Sequence, residues 1–212
     1  MELLAVSIGQ PRYLEHQGRS ELTGIYKSPV AGPVAVTSNG LEGDGQADLK
    51  NHGGTDKALY AYTLENYRFW ECELGLPELP FGQFGENLTV TEMPDESVHI
   101  GDVFRIGEIT VQVTQPRVPC HKLGLRFGLP QFPARFLPSG RCGFYLRVLQ
   151  TGAIRAGDAI ERLREDPARL NLRDAMLAIQ EGPRQGEIIR RALGIEALSA
   201  AWRDDLTRRL ER

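Results

Sequence analysis

The sequence predicts an α+β chain, with a strand-rich, barrel-like domain over residues 1–165 and a small three-helix domain over residues 166–212. Three observations carry this. Short apolar runs bounded by glycine and proline recur through the first three quarters of the chain, as they do in closed sheets. Ile109, Val111 and Val113 alternate with Thr110, Gln112 and Thr114, the period of a half-buried strand. Past Asp166-Pro167 the apolar period lengthens to that of a helix face.

Taken in order, "ELLAVSIG" (2–9) and "GPVAVTS" (32–38) read as strands, and "TLENYRFWECEL" (63–74) as a helix. "GDVFRIGEITVQVTQP" (101–116) reads as a hairpin turning at Gly107-Glu108, and "HKLGLRF" (121–127) as a short helix. "GFYLRVLQTG" (143–152) and "GDAIERL" (157–163) supply two more strands. "NLRDAMLAIQ" (171–180) opens on the N-cap type Asn171, and "QGEIIRRALG" (185–194) closes on a C′-type glycine, Gly194. "EALSAAWRDDLTRRLER" (196–212) places Leu198, Trp202, Leu206 and Leu210 on one face. Helices this short are marginal alone, so they are expected to pack on each other, on the barrel, or on a second subunit. The tail holds no Cys or His, so its expected role is assembly, with a homodimer as one outcome.

The totals remove several classes. The chain has 212 residues, 41% hydrophobic and 25% charged, which supports a core without disulfides. A net charge of −3 argues against a nucleic-acid partner. Residues 1–161 carry 14 Lys/Arg against 19 Asp/Glu and residues 162–212 carry 11 against 9, an excess in the tail too small to imply a polyanion. No apolar run reaches the ~18–20 residues of a spanning helix, so no membrane is expected. The start, "MELLAVSIGQPR", lacks the basic region of a signal peptide, so the expected compartment is the cytoplasm. The cysteines Cys72, Cys120 and Cys142 form no CxxC and no paired framework.

Chemistry concentrates in three segments. In "QPRVPCHKL" (115–123), Arg117, His121 and Lys122 surround Cys120, which follows a proline and precedes a helical pattern. Cationic neighbours favour the thiolate, the form that binds metals and attacks electrophiles. A buried small hydrophobe is the bland alternative, and it is kept for Cys72 and Cys142. In "LEGDGQADLKNHGGTDKALYAY" (41–62), Gly53 and Gly54 permit backbone amides to converge on an anion, and His52 and Lys57 add side-chain donors. In "FGENLTV" (84–90), Asn87 stands at a strand entry, where it serves either a ligand or a turn. Neither GxGxxG nor GxxxxGK[ST] occurs.

The order LEGD…HGGxDxAL…FGENLTV…GD(V)F…QPRxPCxKL…GRCGFYLRV resembles the MOSC family, the domain also found at the C-terminus of molybdenum-cofactor sulfurases. The tail resembles the small helical domain of its stand-alone YiiM-type branch. The resemblance implies a β-barrel-like fold and a molybdenum–pterin cofactor with Cys120 as its sulfur ligand or sulfur carrier. It implies that His52, Gly53, Gly54, Lys57, Asn87, Arg117 and Lys122 line the cofactor pocket. His121 stands where many of the family have an aromatic residue. A thiolate suits molybdenum already held by a dithiolene, and the terminal phosphate needs cationic or amide donors. Tyr60, Tyr62, Phe84 and Phe104 are candidate pterin walls, with core packing as their other role.

Two activities remain open on this resemblance. One is a reductase of N-hydroxylated bases such as hydroxylaminopurine, with Cys120 as metal ligand and electrons from a separate donor protein, since no flavin, nicotinamide or Fe–S motif is present. The other is a sulfur-transfer or cofactor-carrier protein with Cys120 as persulfide acceptor. A binding module whose tail recruits a partner is a third, plainer reading.

Overall fold

The computed structural model describes residues 1–16, 18–48, 53–180, 182 and 184–211. The first part of the chain forms β1 (Leu3–Ile8), β2 (Arg12–His16), β3 (Arg19–Thr23), β4 (Ser28–Pro29), β5 (Val34–Thr37), β6 (Gly40–Leu41), β7 (Leu59–Thr63), α1 (Leu64–Leu74) and β8 (Leu88–Val90). It continues with β9 (Val103–Ile106), β10 (Ile109–Pro116), α2 (His121–Phe127), α3 (Phe132–Phe136), β11 (Phe144–Gln150), β12 (Gly152–Ile154) and β13 (Ile160–Arg164). The tail holds α4 (Leu172–Ala175), a 3₁₀ turn (Met176–Ile179), α5 (Gln185–Leu193) and α6 (Ala200–Leu210). This is the expected α+β class, strands first and helices last.

The main sheet runs β13-β9-β10-β11-β7-β8-β1-β4, with only the β7–β8 pair parallel. Its edge strand β13 returns to β1: the Leu3 amide donates to the Asp158 carbonyl at 3.0 Å and the Ile160 amide to the Met1 carbonyl at 3.0 Å. These bonds close the sheet on itself and leave no open edge there. The expected β9–β10 hairpin forms, with Ile106 opposite Ile109 across the Gly107-Glu108 turn. β2 and β3 pair with each other outside the main sheet, an arm that the polar, charged sequence "RYLEHQGRSELT" did not announce as strands.

Two expectations need correction. The alternation in β10 predicts a half-buried strand, but all of its residues except Thr110 are buried. Its polar face lies under other elements, so each polar group there is bonded: Gln112 Nε2 to the Gly101 carbonyl, Thr114 Oγ1 to the Asp56 carbonyl at 2.6 Å, and Gln115 Oε1 to Ser199 Oγ. The alternation was there, but polar side chains with internal partners can be buried as well. Gly194 ends α5 in the ordinary right-handed region (φ −75), so it is not a left-handed cap. Asn171 does cap α4, its side chain accepting from the Asp174 amide at 2.7 Å.

The tail covers itself on the barrel. Leu172, Ile188, Ile189, Trp202 and Leu206 belong to the same continuous apolar cluster as Leu3, Phe104 and Val113. Of the stripe on α6, Leu198, Trp202 and Leu206 are buried and Leu210 is exposed. The apolar surface that suggested a second subunit is therefore largely spent within the chain. A division at residue 165 into two domains remains a proposal that rests on the change of element type, because the core runs across it.

Candidate functional site

The site is built where β10 leaves the sheet. Val111 and Val113 anchor β10 in the core, and the chain then runs through Arg117, Val118 and Pro119 to Cys120, which stands at the N-cap of α2. The Arg117 amide donates to the Gly143 carbonyl at 3.0 Å, which fixes this exit against the start of β11. Gly143 has φ +66, and a Cβ there would lie 2.5 Å from the Ala61 carbonyl oxygen, so the close approach of β11 to β7 needs a glycine.

A cleft of about 650 Å³, open solvent at its mouth included, lies beside this turn. Arg117, Cys120, Lys57, Asn87, Tyr60 and Phe84 are among its walls. Arg117 is 4% exposed and its guanidinium lies 5.3 Å from the Tyr60 ring centre and 5.6 Å from that of Phe136. One terminal nitrogen, Nη1, is buried with no hydrogen-bond partner, and among the described residues no carboxylate forms an ion pair with Arg117. A buried guanidinium stays protonated and is costly without an anion, so this side chain presents an unmet demand for negative charge in the cleft.

Other charges are already matched. Lys27 is buried and ion-paired with Asp44, and burial lowers its pKa against the pull of that carboxylate. Asp44 also accepts from the Gly9 amide at 2.8 Å and from Asn87 Nδ2 at 2.9 Å. Lys57 sits on a 3₁₀ turn (Thr55–Lys57) and is buried, with its pKa lowered by burial against Asp48 and Asp56. Burial pushes the Tyr145 phenol up to about 12 against the opposing charge of Arg117.

A second, wider groove of about 1540 Å³ reaches Cys120 from the other side. Its walls include Cys120, Lys122 and Tyr145 on the barrel and Trp202, Asp204 and Arg208 on α6. The start of α6 is stitched to the site. Asp56 Oδ2 accepts from the Ala200 amide at 2.9 Å, while Oδ1 accepts from Arg147 Nε at 2.9 Å and Nη2 at 2.7 Å. Ser199 Oγ donates to Gln115 Oε1 at 2.5 Å and accepts from the Trp202 amide at 3.1 Å.

The structure brings Cys120, Arg117, Lys57, Lys122 and Asn87 to one cleft. His52 lies outside the described residues. Gly53 and Gly54 are not among the walls of either cavity, and the Gly54 amide donates to Gln46 Oε1 at 2.9 Å. Gly54 does adopt φ +88, so the glycine shapes the turn rather than offering its amide to an anion. Asn87 spends its amide on the Tyr60 amide, the Ser7 carbonyl and Asp44, so it positions the wall and has no donor left for a ligand. Lys122 Nζ donates to the Leu22 carbonyl at 2.8 Å, and His121 Nε2 lies 2.7 Å from Glu21 Oε2, so both residues hold the β2–β3 arm beside the cleft. Of the candidate aromatic walls, Tyr60 and Phe84 line the cleft. Tyr62 and Phe104 are fully buried core residues. Sequence reasoning missed Lys27 and the entire α6 wall. Asp44 was within the quoted LEGD segment, and its place after a glycine-rich turn was the available signal.

The chain belongs to the MOSC domain family: the MOSC domain model matches residues 48–161, which cover barrel strands β7–β11 and the turn that carries Arg117 and Cys120. Within that family it falls in the YiiM-like branch, since residues 187–212 match the YiiM-like 3-alpha helix domain. The chain is 40% identical to YflK of Bacillus subtilis (strain 168) over 99% of its own length and 95% of that protein's. It is 41% identical over 66% of its length to a protein named Reductase from Gibberella moniliformis (strain M3125 / FGSC 7600), of which it covers 25%. The crystal structure of YiiM from Geobacillus stearothermophilus superposes with a TM-score of 0.82 at 32% identity, covering 99% of this chain and 98% of that one. The MOSC family is associated with the molybdenum cofactor. No helix among the described residues is long and apolar enough to cross a membrane.

Proposed function

We propose that this chain is a molybdenum-cofactor-dependent reductase of N-hydroxylated bases such as hydroxylaminopurine. The observation that carries the reading is the pairing of Cys120 with Arg117 in one cleft: a soft sulfur donor next to a buried cation with an unpartnered nitrogen. The residues fit the group. Cys120 would hold the metal, the Arg117 guanidinium would meet the cofactor's anionic part, and Tyr60 and Phe84 would flank its rings. When bound, the cofactor would supply the redox centre through which two electrons pass to the substrate.

The chain's own residues do the rest. Packing of Arg117 against Tyr60 and Phe136 keeps water from its charge, which strengthens a bond to any anion placed there. The Lys27–Asp44 pair and Asn87 hold the cleft wall, so the positive charge left for a ligand is centred on Arg117. The net reaction is R–NHOH + 2e⁻ + 2H⁺ → R–NH₂ + H₂O, with the N–O bond broken, and a separate reduced donor protein supplies the electrons. The family relative named Reductase supports a redox role.

The test is metal and pterin analysis of protein from a cofactor-replete host, together with reduction of 6-hydroxylaminopurine by a chemical electron donor. Expected are about one molybdenum per chain and turnover that falls by orders of magnitude in Cys120→Ser. A cyanide-labile persulfide on Cys120 without turnover would favour the sulfur-transfer activity instead. Folded protein with neither metal nor pterin would sink both.

A further inference from the structure

Residues 141–143, the turn that leads into β11, are bonded to both parts of the wall that carries the buried charge. The Gly143 carbonyl accepts from the Arg117 amide at 3.0 Å. The Cys142 carbonyl accepts from the Tyr60 hydroxyl at 2.8 Å, and the Arg141 carbonyl from the Tyr62 hydroxyl at 3.1 Å. A Cβ on Gly143 would lie 3.0 Å from Cε2 of Tyr60, so the turn also packs on that ring. Tyr60 is the ring beside which the Arg117 guanidinium lies. A shift of this turn would therefore move the Arg117 backbone and the ring that faces its charge together.

The amide side of the turn is held by one group. Asp95 Oδ1 accepts from the Cys142 amide at 3.1 Å and from the Gly143 amide at 2.8 Å. Asp95 Oδ2 accepts from Asn66 Nδ2 at 2.6 Å, and Asn66 Oδ1 accepts from Arg141 Nη1 at 3.2 Å. The backbone of Asp95 is fixed from the tail, its carbonyl accepting from the Arg173 amide on α4 at 3.1 Å. Asp95 is 2% exposed and is not among the walls of either cavity, so it touches no ligand there. A buried carboxylate is costly to desolvate, and an apolar side chain is often the more stable occupant of such a position. What the carboxylate supplies is one oxygen that accepts two successive amides through charge-assisted bonds. Those two amides belong to the residues whose carbonyls receive Tyr60 and Arg117.

We propose that Asp95 is a positioning residue for the cleft: by holding the amides of Cys142 and Gly143 it sets where Arg117 presents its charge beside Tyr60, and so sets the affinity of the cleft for an anion. This rests on the reductase reading only for the identity of that anion.

The experiment uses the full chain without cofactor, with sulfate as the probe because its charge is constant around neutral pH. Burial raises the Asp95 carboxyl to about 6, so calorimetric titration at about pH 7.5 reads the ionised form. Asp95→Ala removes the acceptor and is expected to weaken sulfate binding about tenfold, with faster hydrogen exchange at the Arg117 amide. Asp95→Asn keeps an oxygen for both amides and should stay within about twofold of the wild type. Asp95→Glu keeps the charge but moves the acceptor by one methylene, so it should weaken binding as alanine does; the Asn–Glu contrast decides the matter where the alanine variant does not fold. The sign separates position from field. Removing a negative charge alone would strengthen anion binding in both Ala and Asn variants, and that result overturns the proposal. A less stable Asp95→Ala with unchanged sulfate affinity overturns it too, as does a wild type that binds no sulfate. Either of the first two, with normal cofactor loading and turnover, leaves the reductase reading standing. The predicted Asn–Ala contrast in a protein that takes up neither molybdenum nor pterin from a cofactor-replete host supports the positioning role and sinks the reductase reading.

Discussion

Replacing Arg117 by methionine should make the cofactor-free protein more stable while abolishing its affinity for an anion. The guanidinium is 4% exposed, has no ion pair among the described residues and leaves Nη1 unpartnered. Desolvating such a charge costs several kcal/mol, and apolar replacement of buried charges is often stabilising by about 1–4 kcal/mol. The rings of Tyr60 and Phe136, at 5.3 and 5.6 Å, already recover part of that cost. The hydrogen bond between Arg117 and Tyr145 would also be lost, at about 1 kcal/mol. The balance is a gain of about 1–2 kcal/mol, or roughly 3–6 °C in Tm for a chain of this size. Binding moves the other way, because a charge-assisted hydrogen bond contributes about 1.5–3 kcal/mol, or ~10- to 150-fold in affinity. Calorimetry of both proteins without cofactor, with and without inorganic phosphate, reads both effects. Phosphate should raise the Tm of the wild type and not of Arg117→Met, and the variant should copurify with at least tenfold less pterin. A variant destabilised by 2 kcal/mol or more, with an unchanged phosphate response, would refute the argument and make Arg117 a packing residue.

Alkylation should separate the thiols: Cys72 is exposed and Cys120 half-buried, whereas Cys142 is fully buried with its thiol pushed up by burial, so peptide mass spectrometry should find Cys142 unlabelled until the protein unfolds. Asp56→Ala removes the acceptor of the Ala200 amide and of two Arg147 bonds; a loss of about 2–3 kcal/mol is expected, with faster hydrogen exchange over residues 196–211 as the local readout. Burial, opposed by hydrogen bonds from Asn66, Gly143 and Cys142, raises the Asp95 carboxyl from 3.8 to about 6. The native state therefore holds that proton more tightly than the unfolded one. The resulting stability is complete below about pH 4 and is lost as pH rises through 6. Between those values urea melts should show the wild type losing about 3 kcal/mol more than Asp95→Asn.

The barrel's hairpins, the helix over 64–74 and the order of strands then helices were legible because each rests on local periodicity and turn chemistry. The meeting of Arg117 and Cys120 with Lys57 and Asn87 was visible only through the resemblance. No local pattern says that β11 lies between β10 and β7, and that adjacency is what brings segments 57–60 and 117–120 together. Lys27 was invisible because a lone lysine in "IYKSPV" reads as solvated, and only the fold supplies the buried Asp44 that pairs with it. Asn87 was legible as a special position but not as a spent one, since its partners Ser7 and Asp44 are distant in sequence.

The tail shows most clearly where such reading stops. Its helices hold no cysteine or histidine, and from composition alone they looked like an assembly device. Yet within "GGTDK" adjacent residues divide their work: Lys57 faces the cleft, and Asp56 holds the first turn of α6 together with Arg147. A 3₁₀ turn places successive side chains about a third of a turn apart, so neighbours naturally serve different surfaces. Cutting the chain near residue 165 would expose the polar face of β10, leave Gln115 without Ser199 and free Asp56 from α6. Those losses fall on Gln115, two residues before Arg117, and on Asp56, next to Lys57. The helical tail is thus part of what shapes the cleft, and a truncated chain should lose the geometry at Cys120 before it loses any partner.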